Sequence, residues 1–118
     1  MNGFSLKRIY EQPEESDGWR ILVDRIWPRG MSKEKASIDE WMKEIAPSAE
    51  LRQWFCHRPE LFEEFVQRYE EELSREPARA LVERLKSLAR ERTVTLLYAA
   101  KDEQYNQAVV LKRYLERD

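Results

Sequence analysis

Along residues 6–10, apolar and polar side chains alternate except at the basic pair Lys7-Arg8, and this period of two predicts a strand. Residues 11–18 are acidic and contain Pro13, which predicts a loop. Apolar and β-branched residues then crowd positions 19–24, from Trp19 through Ile21, Leu22 and Val23 to Asp24, the pattern of a buried strand. Pro28 and Gly30 mark the loop that follows. Ser37 and Glu40 have capping-box spacing. Ile38, Trp41, Met42 and Ile45 fall at i, i+3, i+4 and i+7, predicting a helix that Pro47 stops. Ser48 is placed to cap a short helix through Leu51, Trp54 and Phe55. Pro59 suits the first position of a third helix, with Leu61, Phe62, Phe65, Tyr69 and Leu73 as its buried face. Pro77 opens a fourth, with Ala78, Leu81, Leu85 and Leu88 inward. Its other face (Arg79, Glu83, Arg84, Lys86, Arg90) is mixed in charge, as solvated helix faces usually are. Residues 93–100 are the plainest strand, β-branched at first and apolar afterwards, which suits a central place in a sheet. Lys101-Asp102-Glu103 break the pattern. A last helix is predicted over 104–116, with Ala108, Leu111 and Leu115 inward.

This order predicts an α/β fold: a small three-stranded, mostly parallel, Rossmann-like sheet packed with about five helices. The helical excursion over 37–91 can serve as the crossover that parallel strands need. The link between the first two strands is short for such a crossover, so the direction of the first strand stays open. The length of 118 residues fits one domain over 1–118.

Charge narrows the partners. Charged residues make up 37% of the chain, yet they nearly cancel to a net −2. Whole-surface nucleic-acid binding needs a surplus of Lys and Arg, so nucleic acid is a less favoured partner, reachable only through a local basic patch. There is no apolar run long enough for a signal peptide or a membrane span, and the single Cys56 forms no internal disulfide. A cytoplasmic location, with no membrane partner, is the expectation. The oligomeric state is left open.

Candidate chemistry gathers where strands end. Open α/β sheets bind ligands beyond the carboxyl ends of their strands. If the second and third strands are parallel, Asp24 and Arg25 share an edge with Lys101 and Asp102, and Arg29 and Lys33 follow in the loop after Asp24. The start of the last helix adds free N–H groups and partial positive charge. Two readings stand side by side. Arg25, Arg29, Lys33 and Lys101 hold a phosphate or carboxylate, with Tyr98 and Asn106 as neutral hydrogen-bonding groups and Trp27 as a stacking or lining residue. Alternatively the charges form a structural network, with Asp102 as an N-cap and Asp24 paired to Arg29 or Lys101.

His57 is the only histidine, and with Asp24 and Asp102 it completes the set of candidate acids and bases. No metal site is expected, because Cys56 beside His57 cannot complete a zinc set. The three glycines, at positions 3, 18 and 30, cannot build a GxGxxG or P-loop phosphate cradle. No cofactor is therefore expected.

Three runs resemble a known family. They are Leu22-Val23-Asp24-Arg25-Ile26-Trp27-Pro28-Arg29-Gly30, Lys43-Glu44-Ile45-Ala46-Pro47-Ser48, and Leu96-Leu97-Tyr98-Ala99-Ala100-Lys101-Asp102. In this order they are similar to the YeaO-like branch of domain-of-unknown-function family 488, over nearly the whole chain. The resemblance implies a bacterial or archaeal protein with a compact, Rossmann-like α/β fold and no established activity. Relatives commonly carry Gly at the position of Cys56 and His at those of Tyr105 and Gln107. Any mechanism that needs those imidazoles is thereby weakened in this chain. The leading expectation is a protein that binds or acts on a small anionic ligand at the strand-end edge. The alternative is a nucleic-acid or protein-binding module that uses the same edge.

Overall fold

A computed structural model describes residues 3–117. Among these residues the sheet has four strands: β1 (Phe4–Arg8), β2 (Trp19–Leu22), β3 (Glu40–Trp41) and β4 (Val94–Tyr98). Their spatial order is β1-β4-β2-β3, and every pairing is parallel. The helices are α1 (Lys33–Ala36), α2 (Ala49–Phe55), α3 (Phe62–Leu73), α4 (Ala78–Glu91) and α5 (Gln107–Glu116).

β4 is buried along its whole length, as its composition foretold. Leu96 and Tyr98 face the larger core with Ile21 and Val23, beneath α2 to α5. Leu97 and Leu22 face a smaller core with Ile9 and Ala36, where Trp27, Met31, Ile38 and Trp41 complete the packing.

The expected three strands are corrected to four, and the helix expected over 38–45 is not formed. Ser37 ends α1 in the left-handed region (φ 48°), so it cannot open a helix. Beyond it the backbone pairs with the free edge of β2. The Asp39 N–H donates to Arg20 O at 2.7 Å and the Met42 N–H to Leu22 O at 2.9 Å. The Asp39 carboxylate also accepts the Arg20 N–H at 2.8 Å. Unpaired strand-edge groups are costly to leave unsatisfied. Filling them outweighs the weak preference of a short amphipathic stretch. Only a 3₁₀ turn, Lys43–Ile45, keeps any helical character there.

The direction of β1 is now settled: it runs parallel to β4, which is parallel to β2. The short link between β1 and β2 therefore crosses the sheet without an α-helix, through a 3₁₀ turn at Glu15–Asp17. It passes tightly over the start of β4. Thr95 Oγ1 donates to Asp17 O at 2.7 Å, and the Trp19 N–H to Thr93 O at 2.8 Å. Gly18 sits at φ 66°, where a Cβ would lie 2.3 Å from Thr93 O, so only glycine fits.

The last helix begins at Gln107, not at 104. Asn106 is its N-cap, and its side chain accepts the Val109 N–H at 2.9 Å. Asp102 instead closes the turn before it, accepting the Gln104 and Tyr105 N–H groups at 2.9 Å each.

Candidate functional site

Because all four strands are parallel, their carboxyl ends lie on one edge. The loops leaving that edge bring Arg8 and Tyr10 from β1, residues 24–33 from β2, and residues 99–107 from β4 onto one side of the molecule.

Asp24 stands at the centre of this edge. Its carboxylate accepts the Ala99 N–H at 2.9 Å and the Gln107 side-chain amide. Neither Arg29 nor Lys101, the partners expected from sequence, is bonded to it. Its backbone oxygen takes the Trp41 indole N–H at 2.7 Å. Burial pushes its pKa up to about 6, against the pull of these two donors and the nearby Arg52 charge. The Asp24 carboxyl thus holds its proton well above the ordinary carboxylate range.

Each cation proposed from sequence has a different position. Arg25 is bound to backbone, donating to Pro47 O and Ala46 O at 3.0 Å each, so its guanidinium braces the loop ahead of α2. Arg29 is exposed, and its backbone oxygen accepts the Tyr10 hydroxyl at 2.8 Å. Lys33 opens α1 and is exposed, as is Lys101 just beyond β4. Among the described residues, the side chains of Arg29, Lys33 and Lys101 enter no ion pair.

Tyr98 is buried, and burial, followed by the Glu103 and Glu11 charges, raises its phenol above the ordinary range. Asn106 is buried too, with its amide donating to Asp102 O at 2.7 Å while its oxygen caps α5. Trp27 donates to Met31 O at 2.7 Å and meets Trp41 edge-on, with centroids 5.2 Å apart. Both tryptophans belong to the smaller core, and Trp27 shapes its loop from there. His57 is exposed at φ 54° and lies close enough to Asp102 to lower its pKa, after the larger effects of the Tyr105 and Gln104 N–H groups. Among the described residues, no three His, Cys, Asp or Glu side chains converge to hold a metal ion.

Arg8 and Tyr10 were missed in the sequence. Arg8 donates to Ala100 O at 2.9 Å and to Ala99 O at 3.1 Å, tying β1 to the segment that leads into Lys101. Its guanidinium lies over the Tyr10 ring, 5.1 Å from the centroid. The available signal was the Lys7-Arg8 breach in the strand's alternation. Two open hollows, of about 430 and 410 Å³, lie beside Arg25 and Trp41 and between α2 and α3. Neither is lined by Asp24, Arg29 or Lys101.

Fold and edge define a parallel α/β protein whose strand-end loops carry solvent-facing cations and one partly buried carboxyl. The chain matches the family described as the Inactive DUF488-N3 subclade over residues 3–118, and it belongs to that family. It is 44% identical over 109 residues to the uncharacterized protein YeaO of Escherichia coli K12, an alignment covering 92% of this chain and 93% of that protein. It is likewise 44% identical over 108 residues to the uncharacterized protein Rv3073c of Mycobacterium tuberculosis H37Rv, covering 92% of this chain and 89% of that protein. No solved structure matches the chain.

Proposed function

We propose that the protein binds a small anionic ligand, bearing a phosphate or carboxylate, at the carboxyl edge of its sheet, in the manner of Rossmann-like folds. The observation that carries this reading is the pair Arg29 and Lys101. Both side chains face solvent on the loops after β2 and β4, and neither enters an ion pair among the described residues. Arg8 is anchored to the Ala99 and Ala100 carbonyls, on the segment that leads into Lys101, and supplies fixed positive charge there. Asp24 orients the edge through Ala99 and Gln107. Membership of a subclade described as inactive supports binding without turnover. The exposed, free Cys56 suits a reducing, cytoplasmic setting.

The test is a thermal-shift panel of phosphate, sulfate, nucleotides, sugar phosphates and carboxylates at constant ionic strength. A ligand at 100 times its Kd stabilises by about 2.7 kcal/mol. For a domain of this size that is on the order of 10 °C. Arg29→Ala and Lys101→Ala should each remove most of the shift while leaving the unliganded Tm within about 2 °C, because both side chains are exposed. A full shift in both variants would defeat the reading. Binding to DNA or RNA that weakens steeply with salt would favour the nucleic-acid alternative instead.

A further inference from the structure

The exposed large hydrophobic residues among those described are Tyr10, Ile26 and Tyr105, at 44%, 57% and 39% exposure. All three lie on loops leaving the carboxyl ends of strands: Tyr10 after β1, Ile26 after β2 and Tyr105 after β4. The edge that carries the free cations thus also carries the exposed apolar surface.

Tyr10 differs from the other two in how it is held. Its hydroxyl donates to Arg29 O at 2.8 Å. The Arg8 guanidinium lies over its ring, 5.1 Å from the centroid, and is itself fixed by the Ala99 and Ala100 carbonyls. The ring is therefore pinned at its tip and covered by Arg8, yet nearly half of the residue remains open. A fixed aromatic has already given up its rotamer freedom, so a flat partner can stack on it with little further ordering cost. Its two anchors also place the cations. One is the main chain of Arg29, and the other leads through Ala100 to Lys101.

We propose that Tyr10 is a stacking platform for a planar heteroaromatic ring carried by the anionic ligand, which makes that ligand a nucleoside phosphate. This rests on the strand-edge reading above. The base stacks on the open part of Tyr10 while the phosphate meets Arg29 and Lys101. Stacking of a base on an aromatic side chain typically multiplies affinity by about ten to a hundred.

Calorimetric titration of the full chain with adenosine 5′-monophosphate, ribose 5-phosphate and inorganic phosphate, at constant ionic strength, tests the assignment. The nucleotide should bind about tenfold or more tighter than ribose 5-phosphate. Tyr10→Ala should close that gap, so that within the variant the nucleotide binds no tighter than ribose 5-phosphate. Tyr10→Phe should keep most of the gap, and Tyr10→Leu, which preserves apolar bulk should the alanine variant fold poorly, should close it. Equal affinities for the nucleotide and the sugar phosphate in the wild type would overturn the platform while leaving the anion site standing. So would a gap that survives in Tyr10→Leu. Failure of all three probes to bind would overturn the anion site and the platform together.

Discussion

The Asp24 carboxyl is partly withdrawn from water, and its two donors only partly replace the lost hydration. Its pKa of about 6 lies above the ordinary 3.8, so the folded state holds this proton more tightly than the unfolded chain does. The contribution of Asp24 to stability is therefore fully present below about pH 4 and is lost as pH rises toward 6. The amount is roughly 3 kcal/mol, on the usual conversion of pKa difference to free energy. Asp24→Asn keeps the shape and removes the charge. Its oxygen can still accept from Ala99, and the Gln107 amide need only turn to present its own oxygen. Urea unfolding from pH 4 to 8 should show the variant lacking this decline and at least as stable as the wild type at pH 7.5. Parallel profiles for the two proteins would mean that another group carries the titration.

At the scale of elements, α5 provides the clearest prediction. Asn106 caps it from a buried position, whereas Asp102 closes the turn before it. Asn106→Ala should cost about 1–2 kcal/mol in urea unfolding, and Asp102→Ala less. The reverse order would place the start of the helix earlier in the chain. That boundary was misread because Asp102 and Asn106 are both good caps, and only the tertiary position of the loop chooses between them. α3 and α4 were legible because each repeats its period over enough residues to be unambiguous, and β4 because its β-branched start runs on into an apolar stretch that ends sharply at Lys101. β3 was not legible. It is two residues long, and Ile38, Trp41, Met42 and Ile45 are spaced as in a helix. Its pairing with β2 is a long-range fact with no local signature. The site divides in the same way. Asp24 and Lys101 could be placed on one edge from the strand pattern once their two strands were taken as parallel, as the long helical excursion between them suggests. Arg8 and Tyr10 could not, because the direction of β1 decides which edge they reach.

Across the whole molecule the two edges of the sheet have opposite characters. At the amino end, Asp17 accepts from Lys7 and from the buried Arg20, whose guanidinium also binds Ala36 O and Ser37 O. Burial alone would raise the Asp17 pKa, but the Glu14 N–H, Lys7 and Arg20 outweigh it and hold the carboxyl below its ordinary range. That network is closed upon itself and ties the crossing link to β2. At the carboxyl end the cations of Arg29 and Lys101 are left to solvent.

The placing of β4 between β1 and β2 also governs how the fold is reached. The ladders that β4 makes with both neighbours are non-local, the arrangement that slows folding. A chain cut after Arg92 keeps only the two-residue β2–β3 pairing. It should show no cooperative urea transition by circular dichroism, and a sharp transition would mean that the helices hold a core without the central strand. During synthesis, then, the ribosome must deliver residues 94–98 before the sheet can close. Until that moment two strands made much earlier wait with their inner edges bare, and the nascent chain depends on staying apart from its neighbours.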